Sequence, residues 1–178
     1  PLAQRAAIGG SLDGTELWAI NDFLKACRNL RMTLKHHGDM PLLSRLSGSL
    51  ISEPDIEEKL NSSLTQNGSV SDSASSTLRS LKDKALKHHS LLLSELQRIV
   101  HQYRNAGVLQ EPIITERNGR KVLLVRREAR HRIPGITHGV SDSGSSAFVE
   151  PLETIHAGNA WVDVCQAILR EETRILQS

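Results

Sequence analysis

The segment from Glu111 to Pro151, EPIITERNGRKVLLVRREARHRIPGITHGVSDSGSSAFVEP, constrains the fold of this chain more than any other feature. It is rich in β-branched residues and punctuated by glycine, whereas the sequence on either side has helical periodicity. We call this segment the island. A β-rich island between long helical patterns predicts a mainly α chain with a small antiparallel β module inserted, an α+β fold.

Two hairpins are predicted inside the island. Four short runs are predicted to be its strands: Pro112–Glu116, Lys121–Val125, Gly135–Asp142 and Ala147–Glu150. Asn118-Gly119 between the first two runs is the strongest short hairpin signal, and Ser143-Gly144 is expected to turn the second pair. Because so small a sheet is only marginally stable alone, we expect it to pack on a helix.

Positive charge is concentrated in the first half of the island. Between Glu111 and Arg132, seven Lys or Arg residues accompany three Glu, a local net charge of +4 in a chain whose total is +2. Such a local field is typical of a phosphate-backbone contact, and the forked guanidinium of arginine suits phosphate oxygens. The seven candidate nucleic-acid-binding residues are Arg117, Arg120, Lys121, Arg126, Arg127, Arg130 and Arg132. Few aromatics accompany them, which favours backbone contact over base stacking, and a merely solvated face is the alternative.

The first long helix is predicted to begin with a capping box at Asp13 and Glu16 and to continue to about His37. Phe23 and Leu30 are expected to widen its apolar stripe. Residues 2–10, which end in a glycine pair, are predicted to be a connector.

Two shorter helices and a turn are expected next. Pro41–Leu46 suggests one or two helical turns, and Ser52 is placed to cap a helix from Pro54 to Leu64. Asn67-Gly68 then predicts a small hairpin whose flanking apolar residues pack inward, with a flexible serine-rich linker as the alternative.

One long helix is predicted to enter the island and another to leave it. The first runs from about Ser75 to Arg104, and the second occupies the chain after Pro151. If the island is compact, these helices are expected to be antiparallel, as two sides of one arm. The predicted organisation is therefore a helical part at 1–110, the β-rich insertion at 111–151 and a returning helix at 152–178.

The sequence offers no catalytic constellation. Gly139–Ser146 has the glycine spacing of a phosphate loop but lacks its lysine, and the histidines lack zinc-site spacing. Cys27 and Cys165 are expected to be buried free thiols of a reducing compartment. No apolar run approaches the ~18 residues of a membrane span. We therefore predict a non-enzymatic segment without its own cofactor or metal, and the absence of an initiator Met indicates part of a longer protein.

The island resembles the clamp region of the MutS family, and specifically its second branch, the paralogues linked to recombination. In that branch the pattern is EPIVT-RNGRYVLPVK followed by R-PGIVHD-S-SG-T-FIEP. The chain matches it at Glu111, Pro112, Ile113, Thr115, Arg117, Asn118, Gly119, Arg120, Val122, Leu123, Val125, Pro134, Gly135, Ile136, His138, Ser141, Ser143, Gly144, Phe148, Glu150 and Pro151. Asn67–Ser75 is similar to a second element of the branch, whereas Gly139 and Lys121 depart from the pattern.

The resemblance implies long lever helices carrying a β-hairpin clamp. It also implies a parent ATPase that uses ATP and Mg outside this segment, sometimes with a nuclease domain, and homodimers that embrace DNA. Branched or junction DNA would be the preferred target and restraint of recombination the role. The ribosome or RNA is the alternative partner, and no membrane is implied. The location would be the cytoplasm, at the nucleoid, or an organelle in a eukaryote.

Two further hypotheses compete with backbone binding. A protein-interaction arm predicts an exposed apolar patch on the sheet and weak salt dependence of binding. A purely structural island predicts that its arginines pair with carboxylates such as Glu95, Glu153 or Glu171.

Overall fold

The computed structural model of the chain describes residues 2–35 and 41–178. The α-helices of these residues are α1 (Leu2–Ala7), α2 (Gly14–Lys35), α3 (Pro41–Ser49), α4 (Pro54–Ser63), α5 (Ser76–Tyr103) and α6 (Ile155–Leu176). The strands are β1 (Leu109–Arg117), β2 (Arg120–Arg126), β3 (Gly135–Val140) and β4 (Ser146–Pro151), and short 3-10 helices occupy Arg127–Arg132 and Leu152–Thr154. The predicted α+β fold, mainly helical with one small antiparallel sheet, is confirmed.

The chain divides into two compact units. One comprises Pro1–Arg79 and Leu169–Ser178, and the other comprises Ser80–Ile168. The divisions fall inside α5 and α6, so the second unit contains the whole island together with the adjoining parts of both helices.

The predicted connector at residues 2–10 contains a short helix, α1. Gly10 N donates to the Arg5 carbonyl at 2.9 Å and Gly9 N to the Ala6 carbonyl at 3.0 Å, which is a Schellman cap. Gly9 takes the positive φ of +83° that this cap requires. The glycine pair therefore marks the end of a helix that lies within the predicted connector.

The predicted capping box of α2 is confirmed. Glu16 N donates to Asp13 Oδ1 at 2.8 Å, and Asp13 N donates to Glu16 Oε2 at 3.0 Å. Leu24 of the apolar stripe is buried, whereas Phe23 and Leu30, which were expected to widen the stripe, are 57% and 49% exposed. The predicted end of this helix at His36-His37 lies outside the described residues.

The predicted turn around Asn67-Gly68 is ordered. Leu64 and Val70 form an isolated antiparallel bridge, and both side chains are buried. Upstream, the helix cap predicted at Ser52 is wrong, because the N-cap is Glu53 and Pro54 takes the first turn. Proline is well tolerated in the first turn, because the backbone N–H that it lacks would have no hydrogen-bond partner within the helix.

The sheet of the second unit is antiparallel, with strand order β1-β2-β4-β3. Asn118 and Gly119 have φ of 51° and 73°, so the first predicted hairpin turn is confirmed. The first strand begins at Leu109, two residues before the island, and β3 ends at Val140, two residues before its predicted end.

The core of the second unit lies between one face of the sheet and the helices. We call this the core face. It carries Leu123, Val125 and Val149, which cluster with Leu96 of α5 and Ala157 of α6. Since neighbouring residues of a strand point to opposite faces, the pattern of β2 assigns Arg120 and Arg126 to the other face. The expectation that the sheet packs on a helix is confirmed.

The two cysteines are free, with Cys27 buried and Cys165 half-buried. Burial raises the pKa of the Cys165 thiol above its usual value, which keeps it protonated. In the part of the chain that the structure describes, no helix is long and apolar enough to cross a bilayer. No group of three His, Cys, Asp or Glu side chains in that part could hold a metal ion.

Candidate nucleic-acid interface

The first hairpin brings two of the seven candidate residues side by side. Arg117 at the end of β1 is the cross-strand partner of Arg120 at the start of β2. Cross-strand partners share a face, so both side chains lie on the face opposite the core face. We call this the arginine face, and by strand alternation and pairing it also carries Arg126 and Phe148.

Arg117 is exposed and lies over the ring of Phe148, with its guanidinium carbon 4.2 Å from the ring centroid. The Phe148 ring is buried beneath it. A guanidinium that stacks on an aromatic face keeps its N–H edge free for other acceptors. Arg117 is therefore supported by the sheet and still open to a ligand.

Lys121 lies on the core face, unlike its neighbour Arg120. Its Nζ is 2.7 Å from Oε2 of Glu116, its cross-strand partner, and 5.4 Å from the ring centroid of Trp161 in α6. Arg117, Arg120 and Lys121 therefore all lie at the hairpin tip, but they are divided between the two faces of the sheet.

Although strand alternation assigns Arg120 to the arginine face, its long side chain reaches α6 and is engaged inside the unit. Its Nη1 is 3.3 Å from Glu150 Oε1, and its Nη2 donates to Asn159 Oδ1 of α6 at 2.7 Å. The Glu150 side chain is only 3% exposed and also lies 2.7 Å from His138 Nε2. This cluster joins β2, β3, β4 and α6.

Arg130 holds the connection between the first and second hairpins. Its guanidinium donates to the carbonyls of Ile133 at 2.9 Å and Gly135 at 2.5 Å, and to the hydroxyl of Thr137. These bonds occupy both ends of the fork. Arg130 therefore stabilises the chain path into β3.

The remaining three arginines are engaged more lightly. Arg126 Nε lies 3.4 Å from the Leu109 carbonyl, and Arg132 Nη1 lies 3.4 Å from the Ala106 carbonyl, with its guanidinium 5.8 Å from the Tyr103 ring. Arg127 is exposed, and within the described residues its side chain makes no hydrogen bond or ion pair. Its backbone N donates to the Ser145 carbonyl at 3.0 Å, beside the β3–β4 turn.

None of the three carboxylates expected to brace the island pairs with its arginines among the described residues: Glu95 Oε2 is buried without a hydrogen-bond partner, and the other two have partners elsewhere. Glu153 pairs with Arg98 of α5, and Glu171 pairs with Arg174 of α6 at 2.8 Å. The residues that sequence reasoning missed are Glu150, His138 and Asn159. Glu150 and His138 belong to the family-like pattern, but only the β3–β4 pairing and the placement of α6 show that they meet Arg120.

No protein-family model matches the chain. Among curated proteins it is 34% identical to a protein named endonuclease MutS2 of Pelotomaculum thermopropionicum, across 97% of this chain and 22% of that protein. It is 33% identical to proteins of the same name from Halalkalibacterium halodurans and a Synechocystis species, each across 99% of this chain. The chain spans about a fifth of the length of these relatives, 23% and 21% of the latter two.

Proposed function

We propose that the island binds the phosphate backbone of nucleic acid. Over nearly its whole length the chain is homologous to a segment of the proteins that form the second branch of the MutS family. The observation that carries this proposal is the exposed guanidinium of Arg117, which stacks on Phe148 and belongs to residues 111–132, where the net charge is +4. Guanidinium groups bind phosphate oxygens by charge-assisted hydrogen bonds.

The seven candidate residues are divided by how far their side chains are already engaged in contacts inside the protein, and those that are exposed and lightly engaged are proposed to contact phosphate. Arg117, Arg127 and Arg132 are exposed and are the proposed phosphate contacts, with Arg126 beside them on the sheet. Arg120, Lys121 and Arg130 make internal contacts that build the module. The charges of Arg120 and Lys121 are offset by Glu150 and Glu116. Arg130 has no carboxylate partner among the described residues, and its charge adds to the local positive potential, which attracts a polyanion without direct contact.

Branched or junction DNA is the proposed target, as the resemblance to the second branch of the MutS family implies. Backbone contacts would carry no base information and would leave discrimination to the shape of the DNA. In the whole protein we propose that the island is a clamp carried on lever helices. The parent would be a homodimeric ATPase using ATP and Mg in a domain outside this segment, with nuclease activity as the relatives' names suggest. Restraint of recombination at the nucleoid is the role consistent with these features.

The proposal is tested by titrating the chain with labelled duplex and four-way-junction DNA over a range of salt concentrations. Each phosphate contact contributes a slope of about −0.9 to log K against log[salt] on B-form DNA. Arg117→Ala is expected to reduce the magnitude of that slope by about 0.9. Arg98→Ala, which removes an exposed arginine of α5 paired with Glu153, is the matched control and should leave the slope unchanged.

A groove of about 420 Å³ beside β1 favours a second candidate function, a protein- or ribosome-contacting arm. Val100 and the half-exposed Ile113 supply apolar surface there, next to His101 and Arg104. This candidate predicts that DNA binding is weak and insensitive to Arg117→Ala.

RNA presents the same phosphate chemistry, so duplex RNA belongs in the titration as a separate ligand.

A further inference from the structure

Glu150 is a buried carboxylate with two basic neighbours. Its side chain is 3% exposed, with Oε1 3.3 Å from Arg120 Nη1 and Oε2 2.7 Å from His138 Nε2. A buried carboxylate without such partners would be strongly destabilising. The burial of this carboxylate therefore favours an Arg120 that stays beside Glu150.

Arg120 is held from a second direction by α6. Its Nη2 donates to Asn159 Oδ1 at 2.7 Å, and its side chain is only 27% exposed. Gly158 of α6 leaves room for this arrangement, because a Cβ there would lie 2.9 Å from Glu150 Oε1 and 3.4 Å from Arg120 Nη1. The helix thus approaches the ion pair closely enough to restrict the guanidinium.

Arg117 differs from Arg120 although the two are cross-strand partners on the arginine face. Arg117 is exposed and stacks on Phe148, and within the described residues it has no carboxylate partner. The same hairpin therefore carries one arginine that is free to bind a phosphate and one that is bound inside the protein. The difference arises from Glu150 and Asn159, not from position along the sequence.

We propose that Glu150 is a positioning residue that withholds Arg120 from nucleic acid and leaves Arg117 as the phosphate-contacting cation of the hairpin. The inference rests on the proposed backbone binding and names the cation that carries it. Transfer of Arg120 to a phosphate would leave the Glu150 carboxylate buried without its guanidinium. While Arg120 stays paired with Glu150, the pair is neutral and displaces no counterion from DNA.

The test compares the slope of log K against log[salt] for four variants of the chain on one DNA duplex. Arg117→Ala should reduce the magnitude of the slope by about 0.9, whereas Arg120→Ala should leave it unchanged. Glu150→Gln keeps the shape of the side chain but removes its charge, so Arg120 becomes available and the slope should steepen by about 0.9. The double variant Glu150→Gln with Arg120→Ala should return to the wild-type slope.

Two results would overturn the inference while leaving backbone binding intact. One is an Arg120→Ala slope reduced as much as that of Arg117→Ala. The other is a folded Glu150→Gln variant whose slope is unchanged or shallower, which is the behaviour of a purely structural carboxylate. If a thermal scan shows that Glu150→Gln does not fold, the comparison of Arg117→Ala with Arg120→Ala decides. If Arg120→Ala does not fold, the double variant takes its place because it leaves no buried carboxylate unpaired, and a slope reduced by about 0.9 from that of the wild type would overturn the inference. Absence of salt-dependent binding by the wild-type chain would overturn the proposed function, and this inference with it.

Discussion

Glu171 of α6 is held in its ionised form by neighbouring donors. Arg174 donates to both carboxylate oxygens at 2.8 Å and the Ser75 hydroxyl donates at 2.7 Å, which lowers the pKa of Glu171 from 4.5 to about 2. A carboxyl whose pKa is lower in the folded state stabilises the fold fully above the unfolded pKa. That stabilisation is lost as pH falls through the folded pKa.

The Glu171→Gln variant should therefore be less stable than the wild type near neutral pH. The gap between the two unfolding free energies should close as pH falls from about 4.5 towards 2. Urea unfolding followed by circular dichroism at several pH values measures that gap. A gap of constant size across this window would show that the carboxylate is not held by Arg174 and Ser75.

At the residue scale, the sequence predicted the composition of the arginine-rich segment but not the role of each arginine. The separation of Lys121 from Arg120 follows from the two-residue period of a strand and was predictable. The internal roles of Arg120 and Arg130 were not, since they depend on β3, β4 and α6 reaching the same place. The periodicity of residues along β2 does not predict which side chains of β3, β4 and α6 will lie beside it.

At the element scale, local signals predicted the helices and turns well. The capping box of α2 and the Asn118-Gly119 turn depend on short-range hydrogen bonds and φ preferences, which the sequence specifies directly. The cap of α4 at Glu53 was missed because a residue without a side-chain capping bond leaves no signal. Burial along the apolar stripe of α2 depends on tertiary packing and not on periodicity alone, and Phe23 remains exposed.

The start of α2 packs against the 64–70 turn too closely for any side chain at Gly14. A Cβ there would lie 1.8 Å from the Gly68 carbonyl oxygen, which belongs to a backbone that cannot yield without breaking the turn. Gly14→Ala should therefore lower the unfolding free energy by ~1–3 kcal/mol, the range for overpacking. Thermal or urea unfolding measures the loss.

Gly48→Ala in α3 is the matched control for this substitution, because a Cβ at Gly48 meets nothing within 4 Å. Replacing an unhindered helical glycine by alanine should leave stability unchanged or raise it by ~0.5–1 kcal/mol. Equal effects of the two substitutions would mean that contact with Gly68 is not what requires glycine at position 14.

At the scale of the whole molecule, charge is divided unequally along the chain. Residues 111–132 carry +4 and the chain as a whole +2, so the remaining residues are slightly acidic. A polyanion is attracted to one segment and not to the protein at large. The proposed binding is therefore expected to use residues 111–132.

Binding through phosphate positions should depend on the shape of the nucleic acid and not on its sequence. Two duplexes of equal length and unrelated sequence should give the same Kd, whereas a four-way junction of the same total length should bind more tightly. Fluorescence anisotropy at ~50 mM salt, where backbone contacts are strong, measures all three affinities. A preference of more than tenfold between the duplexes would indicate base readout, for which each wrong base pair costs ~1–3 kcal/mol. An exposed arginine can also read a guanine edge, so that result would contradict the proposal that Arg117 and its exposed neighbours contact phosphates alone.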